Sequence, residues 1–343
     1  MKEHLYKRKL LWAALTFLPL LSWSQDIHYS NFGFSPLNIN PALTGAFNGD
    51  LRVTANYRDQ WGGVPVSYST FSGSFDMKLN SKIPEKPSPW RVGAFLSYDR
   101  AGWSRLNNAG IYLSGAYVKP LSTMDFVSGG ISLGVNQRAF KTGDLTWDDQ
   151  YAEKRFDPNI ISRDATVFDE SIFYPDLSAG LNYHRQKPLG RSALDVGIGV
   201  FHLNNPNKSF KGEPAVKCEQ RVSLYGSTNI PVSKYFDVLL DLMGQFQGPH
   251  AEIIGGIGAR FYLVDKHTKQ VALQAGVSIR GGDAFSPHVG LTINQWRFAV
   301  NFDSNFSPFK KATDYFGGPE FNLVYIFAKV QPKNYCALCP TYY

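Results

Sequence analysis

The sequence predicts an all-β protein: an antiparallel transmembrane outer-membrane β-barrel of about fourteen strands, preceded by a short plug-like segment. Aromatic residues make up 15% of the 343 residues and charged residues only 18%, against about 25% charged in typical soluble domains. Segments of about ten residues alternate apolar and polar side chains, the period of a strand with two different faces. No long apolar run follows residue 24, so a chain that spans a membrane must do so as a closed sheet, which pairs every backbone group.

Residues 1–24 are predicted to be a secretory signal peptide. A basic head over residues 2–9 precedes an apolar run over residues 10–21. A run of this length suits a signal peptide and is too short to cross about 30 Å of hydrocarbon. The small side chains of Ser22 and Ser24 predict cleavage after Ser24, which makes Gln25 the first residue of the mature chain.

The charge of the chain argues against one class of partner. The formal net charge is +7 and falls to +4 once the +3 of the predicted signal peptide is removed. Nucleic-acid binding requires a concentrated basic surface. No nucleic acid is therefore expected among the partners.

An irregular segment, residues 25–49, separates the signal peptide from the first strand. Asn38 or Asn40 could cap a helical turn that begins at Pro41 and ends at Gly45. We predict a periplasmic or plug-like segment here. The barrel is then predicted over residues 50–330, and a periplasmic, cysteine-containing tail over residues 331–343.

Strict alternation begins with residues 51–58 and recurs in residues 70–77, 271–280 and 296–303. A soluble β-sandwich would also alternate. However, the polar faces here repeatedly carry Arg, Asn, Gln and Asp, which suits a wet lumen, and aromatic residues cluster near strand ends as in interfacial girdles. The residues predicted to line the lumen are Arg52, Asn56, Arg260, Arg280, Arg297 and Asp303.

The predicted strands cover residues 50–59, 66–79, 90–100, 108–119, 125–138, 174–185, 191–202, 218–231, 235–247, 250–263, 269–280, 286–294, 296–304 and 319–329. Outer-membrane barrels alternate short periplasmic turns with longer outer loops. The two longest connections, residues 139–173 and 203–217, both fall at the end predicted to be outside.

No catalytic constellation is evident, so an enzyme is not expected. The seven histidines are scattered without metal-ligand spacing, and neither a Gly-x-Ser-x-Gly motif nor a phosphate-binding glycine loop is present. His184 and His202 are interpreted as interfacial or loop residues. The remaining alternative is a barrel enzyme whose catalytic triad forms from residues on neighbouring strands, because such a triad would leave no motif along the chain.

The loop from residue 141 to 173 is rich in carboxylates, which are the ligands that calcium prefers. Its spacing does not match an EF-hand, and a solvated outer loop is the favoured interpretation. No cofactor or metal is therefore expected. The candidate calcium ligands would be Asp148, Asp149, Glu153, Asp157, Asp164, Asp169 and Glu170.

The three cysteines divide into a pair and a single residue. Cys336 and Cys339 lie in the tail, and Cys218 is predicted to start a strand. A Cys-x-x-Cys pair can be a redox pair, half of a zinc site or a disulfide. In an oxidising periplasm a disulfide between Cys336 and Cys339 is expected, and Cys218 has no assigned role.

Glycines recur within the predicted strands, for example at Gly197 and Gly199. A glycine in a strand permits either a bend or the close approach of another segment. In a barrel this could mean wall curvature, which is the favoured interpretation, or room for a plug or partner inside.

Residues 31–45, with the sequence NFGFSPLNINPALTG, resemble the N-terminus of the PorP/SprF family, and residues 52–61 and 72–76 fit the same family. A tail with Cys339-Pro340 followed by aromatic residues is similar too, although a basic residue would be expected where Tyr342 and Tyr343 stand. The resemblance implies an outer-membrane barrel of the type IX secretion and gliding apparatus of the Bacteroidota. The residues that it marks as candidate partner contacts are Phe34, Pro36, Asn40, Pro41, Gly45, Arg58 and Trp61.

The resemblance further implies a function in binding, secreting or surface-anchoring a large cargo protein such as an adhesin. Expected partners are that cargo, other type IX components and outer-membrane lipid. The alternative is a diffusion channel or a transporter of hydrophobic solutes, since the predicted lumen residues would line a channel equally well.

Overall fold

The computed structural model describes residues 26–62, 64, 67–79, 88–102, 105–141, 145–152, 155–163, 170–187, 190–266, 269–308 and 310–328. The predicted signal peptide, the tail with Cys336 and Cys339, and loop residues Glu153, Asp164 and Asp169 lie outside these residues.

The strands, in chain order, are β1 (Leu51–Gln60), β2 (Tyr68–Lys78), β3 (Trp90–Ala101), β4 (Leu106–Pro120), β5 (Asp125–Ala139), β6 (Tyr151–Ala152), β7 (Arg155–Phe156), β8 (Ser171–Gln186), β9 (Ala193–Phe201), β10 (Arg221–Ser233), β11 (Phe236–Gln247), β12 (His250–Lys266), β13 (Lys269–Arg280), β14 (Ala284–Ile293), β15 (Trp296–Asn305) and β16 (Phe316–Phe327).

Fourteen of these strands close into one antiparallel barrel, and β6 and β7 form a small hairpin within a loop. Each barrel strand pairs with its neighbour in sequence, and β1 closes the ring by pairing with both β2 and β16. Leu51 stands opposite Met77 on one side and Phe327 on the other. Closure leaves no sheet edge unpaired, which is what a β-protein in lipid requires. The predicted strand count and antiparallel fold are confirmed.

The two faces of the wall differ sharply. Outward side chains are apolar and exposed, as at Leu113, which is 67% exposed, whereas inward Arg58 is only 1% exposed. Aromatic rings pack together near the ends of strands, with Trp90 and Tyr117 centroids 4.9 Å apart and Trp296 and Tyr325 centroids 4.4 Å apart. This is the pattern of a wall that faces acyl chains and interfacial headgroups. None of the helices among the described residues is long and apolar enough to cross a membrane.

The connections distinguish the two ends of the barrel. Residues 140–170, 202–220 and 306–315 all connect strands at one end, which we call the outer end because long loops face the cell exterior in such barrels. The other end is called the inner end. Three outer connections are as short as inner ones, at residues 102–105, 248–249 and 281–283. The lengths of the connections therefore distinguish the outer end from the inner end only in part.

Residues 26–50 thread the lumen from the outer end to the inner end. They contain three short helical turns, at Phe32–Phe34, Pro36–Ile39 and Pro41–Leu43. An apolar side of this plug, which includes Ile39 and Leu43, packs against inward-facing Tyr225, Met243 and Ile254. The predicted plug-like segment is thus inside the barrel, and part of the lumen wall is apolar to receive it.

Candidate functional site

The outer end of the plug, which we define as residues 26–50, is held by a buried charge network. Arg58 and Arg280 donate to the same carboxylate oxygen of Asp303, at 2.5 and 2.9 Å. The hydroxyl of Ser30 also donates to Asp303, at 2.8 Å, and its backbone N–H donates to Glu320 at 2.8 Å. These residues come from β1, β13, β15 and β16. The network therefore ties four strands to one point on the plug.

The inner end of the plug is held by a second ion pair. Arg52 contacts both carboxylate oxygens of Asp76, at 3.0 and 2.7 Å. The N–H of Gly45 donates to Asp76 at 2.6 Å, and Arg52 donates to the carbonyl of Leu43 at 3.1 Å. Arg52 and Asp76 are both buried. Each member of this ion pair also hydrogen-bonds a backbone group of the plug. The plug therefore completes the hydrogen bonding of a buried ion pair whose desolvation would otherwise be costly.

The middle of the plug turns at Asn40. Its side-chain oxygen accepts from the N–H of Ala42 at 2.8 Å and so caps the turn that begins at Pro41. Its amide donates to the carbonyl of Leu181 at 2.9 Å, which joins the turn to the wall. Gly45 follows with φ +68°, a conformation that favours glycine. Of the two predicted caps, Asn40 is the one that forms.

Glycines on the inner wall face this turn. A Cβ at Gly130 would lie 2.5 Å from backbone atoms of Pro41 and Ala42, and one at Gly199 would lie 2.4 Å from the carbonyl oxygen of Ile39. Gly130 and Gly199 therefore make room for the backbone of the plug. For Gly199 this differs from wall curvature, the interpretation that the sequence favours.

Replacing Gly130 by Ala should destabilise the barrel by about 1–3 kcal/mol, because the plug backbone must move. The matched control is Gly115→Ala, where the nearest atom would be 3.9 Å from the new Cβ and the change should stay within about 0.5 kcal/mol. Urea unfolding in detergent, followed by heat-modifiable gel mobility, measures both. Equal stability of the two variants would contradict tight packing at Gly130.

A cluster of different chemistry lies at the outer end beside Asp26. The Nε2 atom of His202 is 2.6 Å from Asp26 Oδ2, and its Nδ1 is 2.8 Å from Asp176 Oδ2. Candidate metal-ligand atoms of Asp26, His202 and Cys218 all lie within 4.8 Å of one another. Burial opposes a charge on His202, but the carboxylates of Asp26 and Asp176 outweigh it and raise its pKa to about 12.

Arg221 completes the electrostatics of this cluster. Its Nε lies 3.4 Å from Asp26 Oδ2, and its guanidinium stands over the Phe201 ring, 4.1 Å from the centroid. Burial raises the pKa of the Asp26 carboxyl, yet the neighbouring His202 and Arg221 charges hold it well below its usual range. The contacts with His202 and Arg221 hold Asp26 to the barrel wall.

Sequence reasoning missed this cluster. His202 does begin the 202–220 loop, as predicted, but it is buried and ion-paired and not an interfacial residue. His202 is only 6% exposed and Cys218 only 4%. His184 is buried as well, with Nδ1 2.9 Å from Asp195 Oδ1. One signal in the sequence could have brought His202 and Cys218 together. The strands predicted at residues 191–202 and 218–231 follow each other, and the pairing of Phe201 with Arg221 brings the two ends of the 202–220 loop together. Nothing local in the sequence indicated Asp26 or Asp176.

The six predicted lumen residues all lie on the inner wall. Four of them form hydrogen bonds with the plug: Arg52, Asn56, Arg280 and Asp303. Arg260 donates to Gln274 at 2.9 Å and lines an inner cavity together with Arg297. Four of the six predicted lumen residues therefore hold the plug, and Arg260 and Arg297 face the inner cavity.

The predicted partner contacts lie mostly inside the barrel. Arg58 donates to the carbonyl of His28 at 2.8 Å and is fully buried. Phe34 is partly buried within the lumen, and Trp61 packs at the outer end with its ring 5.1 Å from that of Tyr68. The buried members of the set, which a partner would reach only if the plug moved, are Pro36, Asn40, Pro41, Gly45 and Arg58.

Two cavities flank the plug. The inner one lies on the β10–β16 side and is lined by Phe34, Arg260 and Arg297 among others. The outer one lies on the β3–β9 side and is lined by Tyr112, Asn136 and Tyr174 among others. They lie towards opposite ends of the barrel, with the plug between them.

The acidic outer loop is held by local contacts among its described residues. Asp157 accepts from the backbone and side-chain nitrogens of Asn159, at 2.9 and 3.0 Å, and Asp149 accepts from the N–H of Arg163 at 2.9 Å. Within the part of the chain that the structure describes, the close group of metal-ligand side chains is at Asp26, not in this loop.

Together, the closed wall, the apolar outer face and the threaded segment define an outer-membrane β-barrel with an internal plug. The chain belongs to the PorP/SprF family of type IX secretion system membrane proteins, whose model matches residues 22–323. The resemblance recognised in the sequence is confirmed, and so is the outer-membrane location.

Solved structures share the barrel fold at low identity. The toluene transporter TodX of P. putida is 11% identical over 85% of this chain and 93% of its own, with a TM-score of 0.46. The monoaromatic hydrocarbon channel CymD is 10% identical over 88% of this chain and 94% of its own, with a TM-score of 0.48. No curated protein matches the sequence significantly.

Proposed function

We propose that this barrel is a docking component of the type IX machinery, which binds a large secreted protein such as an adhesin at its outer end and helps to secrete or anchor it. The observation that carries the proposal is the plug. Because residues 26–50 are tied to the wall at both ends and in the middle, the barrel suits a fixed platform better than an open pore.

The outer loops supply a surface for such a partner. Phe140 and Phe210 pack edge to face with centroids 4.6 Å apart, and Arg138 donates to the carbonyl of Lys208 at 3.2 Å. The two long loops therefore support each other. Apolar side chains of the 140–170 loop nonetheless remain exposed, with Phe156 45% and Ile161 82% exposed. Exposed apolar groups on a loop outside the lipid band favour a protein partner.

Replacing Tyr151, Phe156 and Ile161 together by Ser should reduce retention of the secreted partner at the cell surface at least tenfold, equivalent to about 1.4 kcal/mol of binding. Quantitative mass spectrometry of proteins that co-purify with the tagged barrel, together with surface labelling of the cargo, measures the effect. Tyr235→Ser is the matched control, since Tyr235 is 59% exposed against 62% for Tyr151 but lies at the inner end. Normal cargo retention in the triple variant would rule out this surface.

Membership of the family implies other secretion components as partners. We infer that they contact the inner end, while lipid acyl chains cover the outward apolar band. Pull-down of the tagged, full-length protein from its native outer membrane tests this. Co-elution of type IX components supports the assembly function, and a barrel that elutes alone counts against it.

A second candidate function is a channel or a transporter of hydrophobic solutes. The two cavities on either side of the plug favour it, because a shift of the plug could join them. A steady large conductance of the wild-type protein in planar bilayers would support a channel, and silent bilayers support the platform.

A further inference from the structure

The cluster at Asp26 joins three donor atoms of the kinds that zinc prefers: a carboxylate oxygen, an imidazole nitrogen and a thiol sulfur. They come from separate parts of the chain. Asp26 belongs to the plug, His202 follows β9, and Cys218 precedes β10. His202 and Cys218 are both more than nine-tenths buried. A buried meeting point of three such donors is unusual for side chains with only a packing role.

A second observation independently points to a metal ligand at His202. The Nδ1 atom lies 2.8 Å from the buried carboxylate of Asp176, and Nε2 lies 2.6 Å from Asp26 Oδ2. Metal-binding histidines typically present one nitrogen to the ion and donate the other N–H to a carboxylate, which fixes the tautomer and the ring orientation. Asp176 is 2% exposed, and its other oxygen has no hydrogen-bond partner among the described residues.

The backbone around the donors is constrained as well. His202 has φ +58°, a left-handed conformation that is uncommon for residues other than glycine. The N–H of Cys218 donates to the carbonyl of Pro206 at 2.8 Å, and the Asn205 amide donates to the carbonyl of Cys218 at 3.1 Å. The loop therefore holds His202 and Cys218 towards the same point, at the cost of one strained residue.

The surroundings of the cluster also suit a cation. Asp26 and Asp176 place two carboxylates beside His202, and Arg221 lies 3.4 Å from Asp26 Oδ2.

We propose that Asp26, His202 and Cys218 form a zinc site at the outer end of the lumen, with Asp176 orienting His202 and a fourth position open to water. The ion would clamp the start of the plug to both ends of the 202–220 loop. The site is independent of the cargo-docking surface, which lies on the 140–170 loop.

Cobalt titration of the full-length mature protein in detergent tests the proposal. The protein is reduced and freed of metal by chelation, and the thiolate-to-cobalt charge-transfer band is followed. We expect saturation at one ion per chain and reversal by added zinc. Cys218→Ser should abolish the band, and Asp176→Asn should weaken cobalt affinity by about 10–100-fold. His184→Gln is the matched control, because it removes another buried His–Asp pair, and it should bind cobalt like the wild type.

A second measurement does not depend on the sulfur band. Zinc should raise the thermal unfolding temperature of the wild type and of His184→Gln, but not that of Cys218→Ser, because an ion that binds only the folded state stabilises it. Equal cobalt affinity of the wild type and Cys218→Ser would overturn the proposal and indicate an adventitious ion only. Failure of the reduced wild type to bind either metal would also overturn the proposal. The cluster would then be a set of ion pairs that attach the plug to the wall.

Discussion

Deleting residues 26–48 is expected to convert a silent barrel into one that conducts ions. The deleted segment contributes Ile39, Leu43 and Phe47, which are at most 1% exposed inside the lumen. Fourteen strands enclose an interior wider than the single layer of side chains that fills an eight-stranded barrel. Without the plug, the inner and outer cavities would merge along a polar wall. Single-channel recording in planar bilayers should then show porin-like steps that the wild type lacks.

A disulfide between plug and wall provides the control for this prediction. The hydroxyls of Thr44 and Ser114 are 2.9 Å apart, so Thr44→Cys with Ser114→Cys places two thiols side by side. The oxidised full-length variant should not conduct ions in planar bilayers, because the disulfide keeps the plug in the lumen. Heat-modifiable mobility first establishes that each variant is inserted and folded. A deletion variant that folds but stays silent, or a wild type that conducts equally, would refute the assignment of residues 26–48 as the plug.

Replacing Asp303 by Ala is expected to destabilise the folded barrel by about 3–5 kcal/mol, because it leaves two buried guanidinium groups without their shared carboxylate. Arg58 and Arg280 are 1% and 5% exposed. The substitution also frees the Ser30 hydroxyl, so the outer end of the plug should loosen with the wall. Urea unfolding in detergent measures the first effect, and protease sensitivity near residue 30 measures the second.

An exposed ion pair is the matched control for Asp303. Arg185 lies 3.8 Å from Asp125 and is 57% exposed, so Asp125→Ala should change stability much less than Asp303→Ala. Asp303→Asn, which keeps the shape of the side chain, should fall between these two. If Asp303→Ala were no more destabilising than Asp125→Ala, the converging network would have no energetic importance.

The strands were predictable because their signal is local. Inward and outward residues alternate with period two, and every barrel strand begins and ends within three residues of its predicted bounds, as at β8 (Ser171–Gln186). The lumen-facing side of Arg52, Arg280 and Asp303 followed from the same alternation. The small hairpin of β6 and β7 was not predicted, since its two-residue strands are too short to show a period.

The plug illustrates the limit of local patterns. Residues 31–45 resembled a family, and Asn40 with Pro41 and Gly45 predicted a capped turn, which formed. The depth and direction of the segment could not be predicted in this way. They depend on where Asp76, Asp303 and Glu320 stand around the wall, and those positions follow only from the register of the closed sheet.

By itself, then, the amino-acid sequence determined an antiparallel outer-membrane barrel, its strand bounds, its polar interior and its family, because alternation and turn chemistry act over a few neighbouring residues. Tertiary structure alone decided how the plug lies in the interior and which side chains of the wall meet it. Asp26 and His202 are 176 residues apart in the chain, and Cys218 joins them across a loop. Barrel closure brings such residues within hydrogen-bonding distance, and no pattern along the chain records that distance.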